Sequence, residues 1–164
     1  MIKIFTTGGT IDKIYFDQKS EFQVGDPQIA QLLVEANITF DYEIESVLRK
    51  DSLDLTDDDR AHIFDKVETD PNRRILITHG TDTMIETARA LLPVRNKTVI
   101  LTGSMQPARL RSSDAIFNIG FAVAAVQLLD AGIYIAINGR IFDPERARKN
   151  VALNRFEAID EADG

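Results

Sequence analysis

The sequence predicts an α/β protein built as three layers: an open, mostly parallel sheet with helices on both faces. Two observations predict it. Short β-branched runs alternate with helical patterns along the chain. Two of those runs, Ile2–Phe5 and Ile75–Ile77, lead directly into glycine–threonine turns, Thr6-Thr7-Gly8-Gly9-Thr10-Ile11-Asp12 and His79-Gly80-Thr81-Asp82-Thr83. In open sheets of this kind, Rossmann-like or flavodoxin-like, ligands bind outside the carboxyl ends of the strands, so both turns fall where a site is expected.

Each element has its own local signal. Ile2–Thr6 reads as the first strand, followed by a polar stretch from Asp12 to Gly25 without clear periodicity, of a length at which loops tend to be lids. An ordinary surface loop or hairpin fits its composition equally well. Asp26-Pro27 then suggests an N-cap and a first-turn proline, with Ile29, Leu32, Leu33 and Ala36 on one helical face. Tyr42–Leu48 alternates like a strand. Thr56 followed by Asp57, Asp58 and Asp59 opens a helix, since carboxylates favour its positive end. That helix buries Ile63, Phe64 and Val67 and stops near Pro71. Arg74–Thr78 is the third strand, and Thr81–Leu92 the next helix. Thr98–Thr102 is the fourth strand, ending in the irregular turn 103–107. A helix is expected over Ser113–Asp130, stopped by Gly132, then a fifth strand over Ile133–Ile137, a hairpin through Ile141-Phe142 and an irregular basic tail.

The 113–130 segment differs from the other helices. Ile116, Phe117, Ile119, Phe121, Val123, Val126, Leu128 and Leu129 cover almost its whole circumference. A helix apolar all round is buried on more than one side. A core helix under a wide sheet satisfies that pattern, and so does a helix whose outer face forms a subunit interface.

Bulk composition narrows the function classes. The 164 residues fit one domain. A net charge of −7 argues against a nucleic-acid partner, which needs a basic face. No apolar run approaches the roughly 20 residues that span a bilayer, so no membrane partner is expected. The N-terminus enters a strand with no signal-peptide pattern, which makes the cytoplasm the expected location. The sequence holds no cysteine and two histidines, His62 and His79, leaving little for a thiolate or histidine metal centre. Neither cofactor nor metal is expected.

The chemistry suggested by the turns centres on hydroxyls. Glycines 8 and 9 permit a sharp turn that can aim amides at a ligand. Thr10 behind them is a candidate nucleophile, but a threonine hydroxyl is weak and needs a base. Thr81, with a lysine and Asp82, could supply one. A capping or turn hydroxyl is the commoner use of either threonine, and spacing alone does not decide.

Four motifs in order carry a resemblance: Thr6-Thr7-Gly8-Gly9-Thr10-Ile11; Ile77-Thr78-His79-Gly80-Thr81-Asp82-Thr83-Met84 continued by Glu86-Thr87-Ala88; Thr102-Gly103-Ser104-Met105-Gln106-Pro107; and Ser113-Asp114-Ala115-Ile116-Phe117-Asn118. The chain resembles the bacterial-type L-asparaginase/glutaminase family from Met1 to about Phe156. The resemblance implies that Thr10 is the nucleophile that forms a β-acyl-enzyme. It implies that Thr81, Asp82 and Lys149 form a second group that activates the hydrolytic water. Asp82 would also meet the substrate amino group, and Ser52 its carboxylate, with Gly9 and Gly80 lining the substrate. Burial would favour Lys149 as a proton acceptor and Asp82 beside it would favour the ammonium, so base and electrostatic partner both stay open.

The sequence also departs from the family. Where the family keeps a lid tyrosine on the nucleophile, Phe22 aligns; Tyr15 in the same segment is the candidate substitute. Leu53 stands at a polar substrate-contacting position. Typical members carry a second, C-terminal domain that reaches into a neighbour's site, and these 164 residues match only the N-terminal one, over 1–164. The implied activity is hydrolysis of L-asparagine to L-aspartate and ammonia, with glutamine the poorer substrate, in a homo-oligomer. A non-catalytic amino-acid-binding or regulatory module, or an amidase subunit of a larger complex, are the competing readings.

Overall fold

Continuous burial marks the strands at the centre of the molecule. Strand β1 (Ile2–Gly8) is buried at every position, as expected of a parallel strand covered on both faces. The computed structural model describes residues 1–16 and 21–159, without the side chains of Phe16, Glu21 and Phe22, so the middle of the expected lid and the last residues lie outside the described part. The other strands are β2 (Lys13–Phe16), β3 (Glu21–Val24), β4 (Tyr42–Lys50), β5 (Arg74–Thr78), β6 (Thr98–Thr102), β7 (Gly132–Ile137), β8 (Arg140–Phe142), β9 (Ala147–Asn150) and β10 (Arg155–Ala158). Helices are α1 (Ile29–Glu35), α2 (Asp57–Thr69), α3 (Met84–Ala90) and α4 (Ala115–Leu128).

Six strands form one sheet in the order β4-β1-β5-β6-β7-β8, parallel except for β8, which returns antiparallel to β7. One face carries α2 and α3 through Ile63, Val67, Met84, Ala88 and Leu91. The other carries α1 and α4 through Ile29, Leu33, Ala115, Ile119, Ala122 and Val126. This is the expected three-layer α/β fold.

The differences from the sequence reading have local causes. Residues around the polar 12–25 stretch form an antiparallel hairpin, with Ile14 opposite Gln23 and Tyr15 opposite Phe22. Four-residue strands are too short to show a period. Helix α1 starts at Ile29 rather than at Asp26-Pro27, because Asp26 pairs with Arg49 at 2.7 Å and the Gln28 amide donates to the distant Asp12 carboxylate at 2.8 Å. Helix α4 is shorter than 113–130, and Gly132 opens β7 instead of ending the helix. The basic tail is ordered into the β9–β10 hairpin, with Phe156 buried against Phe142, ring centroids 6.2 Å apart.

On α4 one face of the apolar circumference lies against the core and the other is exposed. Ala115, Asn118, Ile119, Ala122, Ala125 and Val126 face the core, while Ile116, Phe117 and Leu128 are 65%, 63% and 83% exposed.

Helix α2 begins as expected. The Thr56 hydroxyl accepts the Asp59 amide at 3.2 Å, and the Asp59 carboxylate accepts the Thr56 amide at 2.9 Å. Lys50 at the end of β4 holds the same carboxylate at 2.8 Å. The aspartate run is therefore a cap. Thr56→Ala is predicted to cost about 1 kcal/mol in denaturant unfolding, with Thr56→Ser recovering most of it.

Candidate active site

The two glycine–threonine turns leave neighbouring strands, β1 and β5, where the strand order reverses around β1. They are in contact. A Cβ on Gly9 would lie 2.4 Å from the Gly80 Cα and N, and one on Gly80 would lie 2.6 Å from the Ser52 Cβ and Oγ. Segments 8–10 and 79–81 thus meet backbone against backbone, with the Ser52 side chain packed on Gly80. Gly9 has φ 87° and ψ −173°, a region essentially closed to side chains. Between Thr6 and Gly8 the pairing with β4 shifts register, and such bulges re-aim a chain beside a site. The Gly9 amide is not aimed at a ligand, however: it donates to the Lys50 carbonyl at 2.9 Å. What Gly9 contributes is close approach.

That approach places Thr10 at the start of a short 3-10 turn, Thr10–Asp12. Its neighbours are fixed: Ile11 is fully buried and its carbonyl accepts the Ala108 amide at 3.1 Å. The Thr10 side chain is half-buried, and among the described residues its hydroxyl makes no hydrogen bond. Tyr15, the candidate lid hydroxyl, lies on β2 and is 54% exposed.

The second cluster is assembled across the chain. Lys149 on β9 donates from Nζ to Thr81 Oγ1 at 2.9 Å and to Asp82 Oδ1 at 2.6 Å. Thr81 is buried, the Lys149 side chain is 14% exposed, and Asp82 opens to solvent at 42%. Thr83 donates to the Ser52 carbonyl at 2.7 Å. With Thr81 and Thr83 engaged in this way, the chain stays bent through residue 83, and α3 begins at Met84 rather than at Thr81.

Ser52 is buried beneath Gly80, next to Asp51. Lys13, at the base of the β2–β3 hairpin, pairs with Asp51 at 2.7 Å and holds its carboxyl below the usual range. Leu53 is 71% exposed.

His79 braces the turn. Its Nδ1 lies 2.7 Å from the Gly80 carbonyl, which can only accept, so Nδ1 carries the proton and Nε2 accepts from the Thr87 hydroxyl at 2.8 Å. Full burial pushes its pKa down to about 4, keeping the ring neutral. His62 is exposed on α2.

Comparison with known proteins places the fold. The model of the asparaginase N-terminal domain matches residues 1–163. The chain belongs to the asparaginase family. It is 30% identical to L-asparaginase 2 of Escherichia coli and 32% identical to the L-asparaginase of Thermococcus kodakarensis, covering 87% and 98% of this chain. It is 31% identical to a glutamyl-tRNA(Gln) amidotransferase component of Thermoplasma volcanium over 97% of this chain. The solved structure of the thermostable T. kodakarensis L-asparaginase superimposes with a TM-score of 0.83 over 96% of this chain and 50% of that one. The chain spans about half the length of these relatives: 44% of the E. coli, 51% of the T. kodakarensis and 43% of the T. volcanium protein.

Within this asparaginase-family domain, the sequence reading missed Asp12 as a structural hub. Asp12 is 1% exposed and accepts the Gln28 amide, while the Gln28 side chain in turn accepts from Arg109 Nε at 2.8 Å. Burial pushes the Asp12 pKa from 3.8 up to about 7, against the opposing pull of the Gln28 amide and Arg49. No local sequence pattern marks a carboxyl whose partner lies on another element.

The contact between the turns and the buried Asp12 can each be tested. Gly9→Ala is expected to lose more than about 3 kcal/mol, since it combines a forbidden backbone region with a clash against Gly80; stability within about 1 kcal/mol of wild type would show the turns can separate freely. The second test concerns pH. Folded Asp12 keeps a proton up to about 7 that the unfolded chain releases near 3.8, so its stabilising contribution is lost as pH rises through about 7. His79 has the opposite sign: its contribution is present above 6.5 and lost as pH falls through about 4. The two slopes oppose each other between those values and flatten the wild-type curve. Asp12→Asn, which keeps the acceptor for Gln28, should gain on the order of 4 kcal/mol relative to wild type between about pH 4 and pH 8. Urea unfolding at each pH measures it, and a constant difference would reject the assignment.

Proposed function

We propose that this domain is the catalytic N-terminal domain of an L-asparaginase, acting on L-asparagine to give L-aspartate and ammonia. The observation that carries this reading is Lys149 Nζ seated on both Thr81 Oγ1 and Asp82 Oδ1, beside the contact that brings the Thr10 turn against the Thr81 turn. A pocket that only bound an amino acid would have no use for two threonines and a lysine in this arrangement.

In this reading Thr10 Oγ attacks the side-chain amide carbon and forms an acyl-enzyme as the C–N bond breaks and nitrogen leaves as ammonia. Water then attacks the acyl carbon and releases aspartate and the free threonine. Lys149 donates to the Thr81 oxygen, which leaves the Thr81 hydrogen free to point at that water or at the substrate. The partly exposed Asp82 carboxylate faces the substrate ammonium, and Ser52 Oγ, beneath Gly80, its carboxylate. No cofactor enters these steps. Tyr15 is the hydroxyl this reading assigns to the lid.

The chain's similarity to an amidotransferase component favours a second reading, amide hydrolysis within a larger complex. Under the main reading the protein works in the cytoplasm as a homo-oligomer, with the outward apolar face of α4 as its contact surface; a single monomeric species in sedimentation at micromolar concentration would count against that assembly.

Purified protein should release ammonia from L-asparagine, and Thr10→Ala should abolish it. No release from a folded wild-type chain would leave a binding module, to be measured by calorimetry with asparagine or aspartate. Glutamine should be turned over less well, by no more than the roughly 10–200-fold that one methylene commands. Equal rates on the two amides would reject this preference.

A further inference from the structure

Lys149 does not belong to the main sheet. It sits on β9, in a separate two-stranded ribbon with β10. The base of that ribbon is held by the Ile159 amide on the Arg146 carbonyl at 2.8 Å and by Arg89 Nε on the Pro144 carbonyl at 2.9 Å. Buried Ala147 and Phe156 set its depth. Of these, Phe156 packs its ring on Phe142 at the level of Lys149, and its amide needs a partner of its own.

A side chain beside β7 supplies it. Asn138, just beyond β7, accepts the Phe156 amide on its Oδ1 at 2.9 Å, and Phe156 is the residue directly opposite Lys149. The Asn138 amide donates to Asn118 Oδ1 at 3.1 Å. Asn118, fully buried on α4, donates from Nδ2 to the Gly103 carbonyl at 3.0 Å and to Asp114 Oδ2 at 2.9 Å. Asp114 in turn accepts the Met105 amide at 2.9 Å. Both asparagine orientations are dictated by their partners, because amides only donate and carbonyls and carboxylates only accept. Asn138 has φ 53°, a region that asparagine tolerates better than most residues.

We propose that Asn138 is a positioning residue for Lys149, holding β10, and through it β9, at the height where Nζ meets Thr81 and Asp82, with Asn118 and Asp114 as its rigid support. Asn138 reaches neither Thr81 nor Asp82 itself; it acts through the ribbon. The catalytic consequence rests on the reading of Lys149 given under the proposed function, while the positioning itself does not.

Asn138→Gly keeps the left-handed backbone and deletes only the acceptor; Asn138→Asp keeps both. The 164-residue chain is treated with an amine-reactive N-hydroxysuccinimide ester, and labelling of each lysine is followed by peptide mass spectrometry. Lys3, buried at the far end of β1 with Glu43 and Glu45, serves as the internal reference. Asn138→Gly should label Lys149 roughly fivefold faster relative to Lys3, as expected when one hydrogen bond no longer opposes a local opening. Asn138→Asp should stay at the wild-type ratio. On asparagine, Asn138→Gly should lower kcat by up to about 100-fold, with KM much less affected, as displacement of a positioned group does, and Asn138→Asp should recover it. An unchanged Lys149-to-Lys3 ratio in folded Asn138→Gly overturns the proposal, and so does equal acceleration of both lysines. If wild type releases no ammonia, the activity reading fails and the labelling ratio still decides the positioning.

Discussion

Everything at this site depends on two backbones touching. Gly9 and Gly80 approach so closely that a methyl group on Gly9 would overlap the Gly80 main chain, while one on Gly80 would overlap Ser52 on its other side. No attractive force of unusual strength is needed for this; what matters is that nothing stands in the way. Because β1 and β5 are parallel neighbours, their ends arrive side by side, and the missing side chains let the turns close the remaining distance. The Thr10 and Thr81 turns owe their proximity to that absence of atoms.

Contact without side chains leaves polar groups that must be satisfied in other ways. The Thr7 hydroxyl bonds to the Thr78 carbonyl, the neutral His79 ring takes the Gly80 carbonyl, and Thr83 takes the Ser52 carbonyl. Each bond closes a main-chain acceptor near the turns, as buried carbonyls require. A charged imidazole would be costly there, and desolvation keeps it neutral. Asp12 does the same for the amide ahead of α1, joining the Thr10 turn to the helix layer below it.

Most of the frame is legible in the sequence because parallel strands and their turns are local patterns. Arg74–Thr78 and Thr98–Thr102 stand where the β-branched runs put them, and Thr56 caps α2 as its neighbours suggest. The departures share one origin. Helix α1 starts later than its local pattern because its first amide is held by a residue far back in the chain, and α3 because the hydroxyls of Thr81 and Thr83 are bound to Lys149 and Ser52. The local pattern aims the Gly9 amide at a ligand, yet a carbonyl of β4 claims it. Motifs pick out Thr10, Thr81, Asp82 and Lys149, and the structure brings the last three into contact. Asp12 and Asn138 carry no such signal, since a lone carboxyl or amide has no spacing that names its partner.

The strand order also sets a schedule for synthesis. β1 precedes its partners in the chain but lies inside the sheet, with Ile2 opposite Tyr42 and Lys3 opposite Ile75, so it must wait unpaired for partners made much later. The lysine comes later still, on a ribbon that closes only when Phe156 has emerged. In chain order, all six strands of the sheet and both threonines precede the cation that seats on Thr81. The site is whole only once the ribbon has been made.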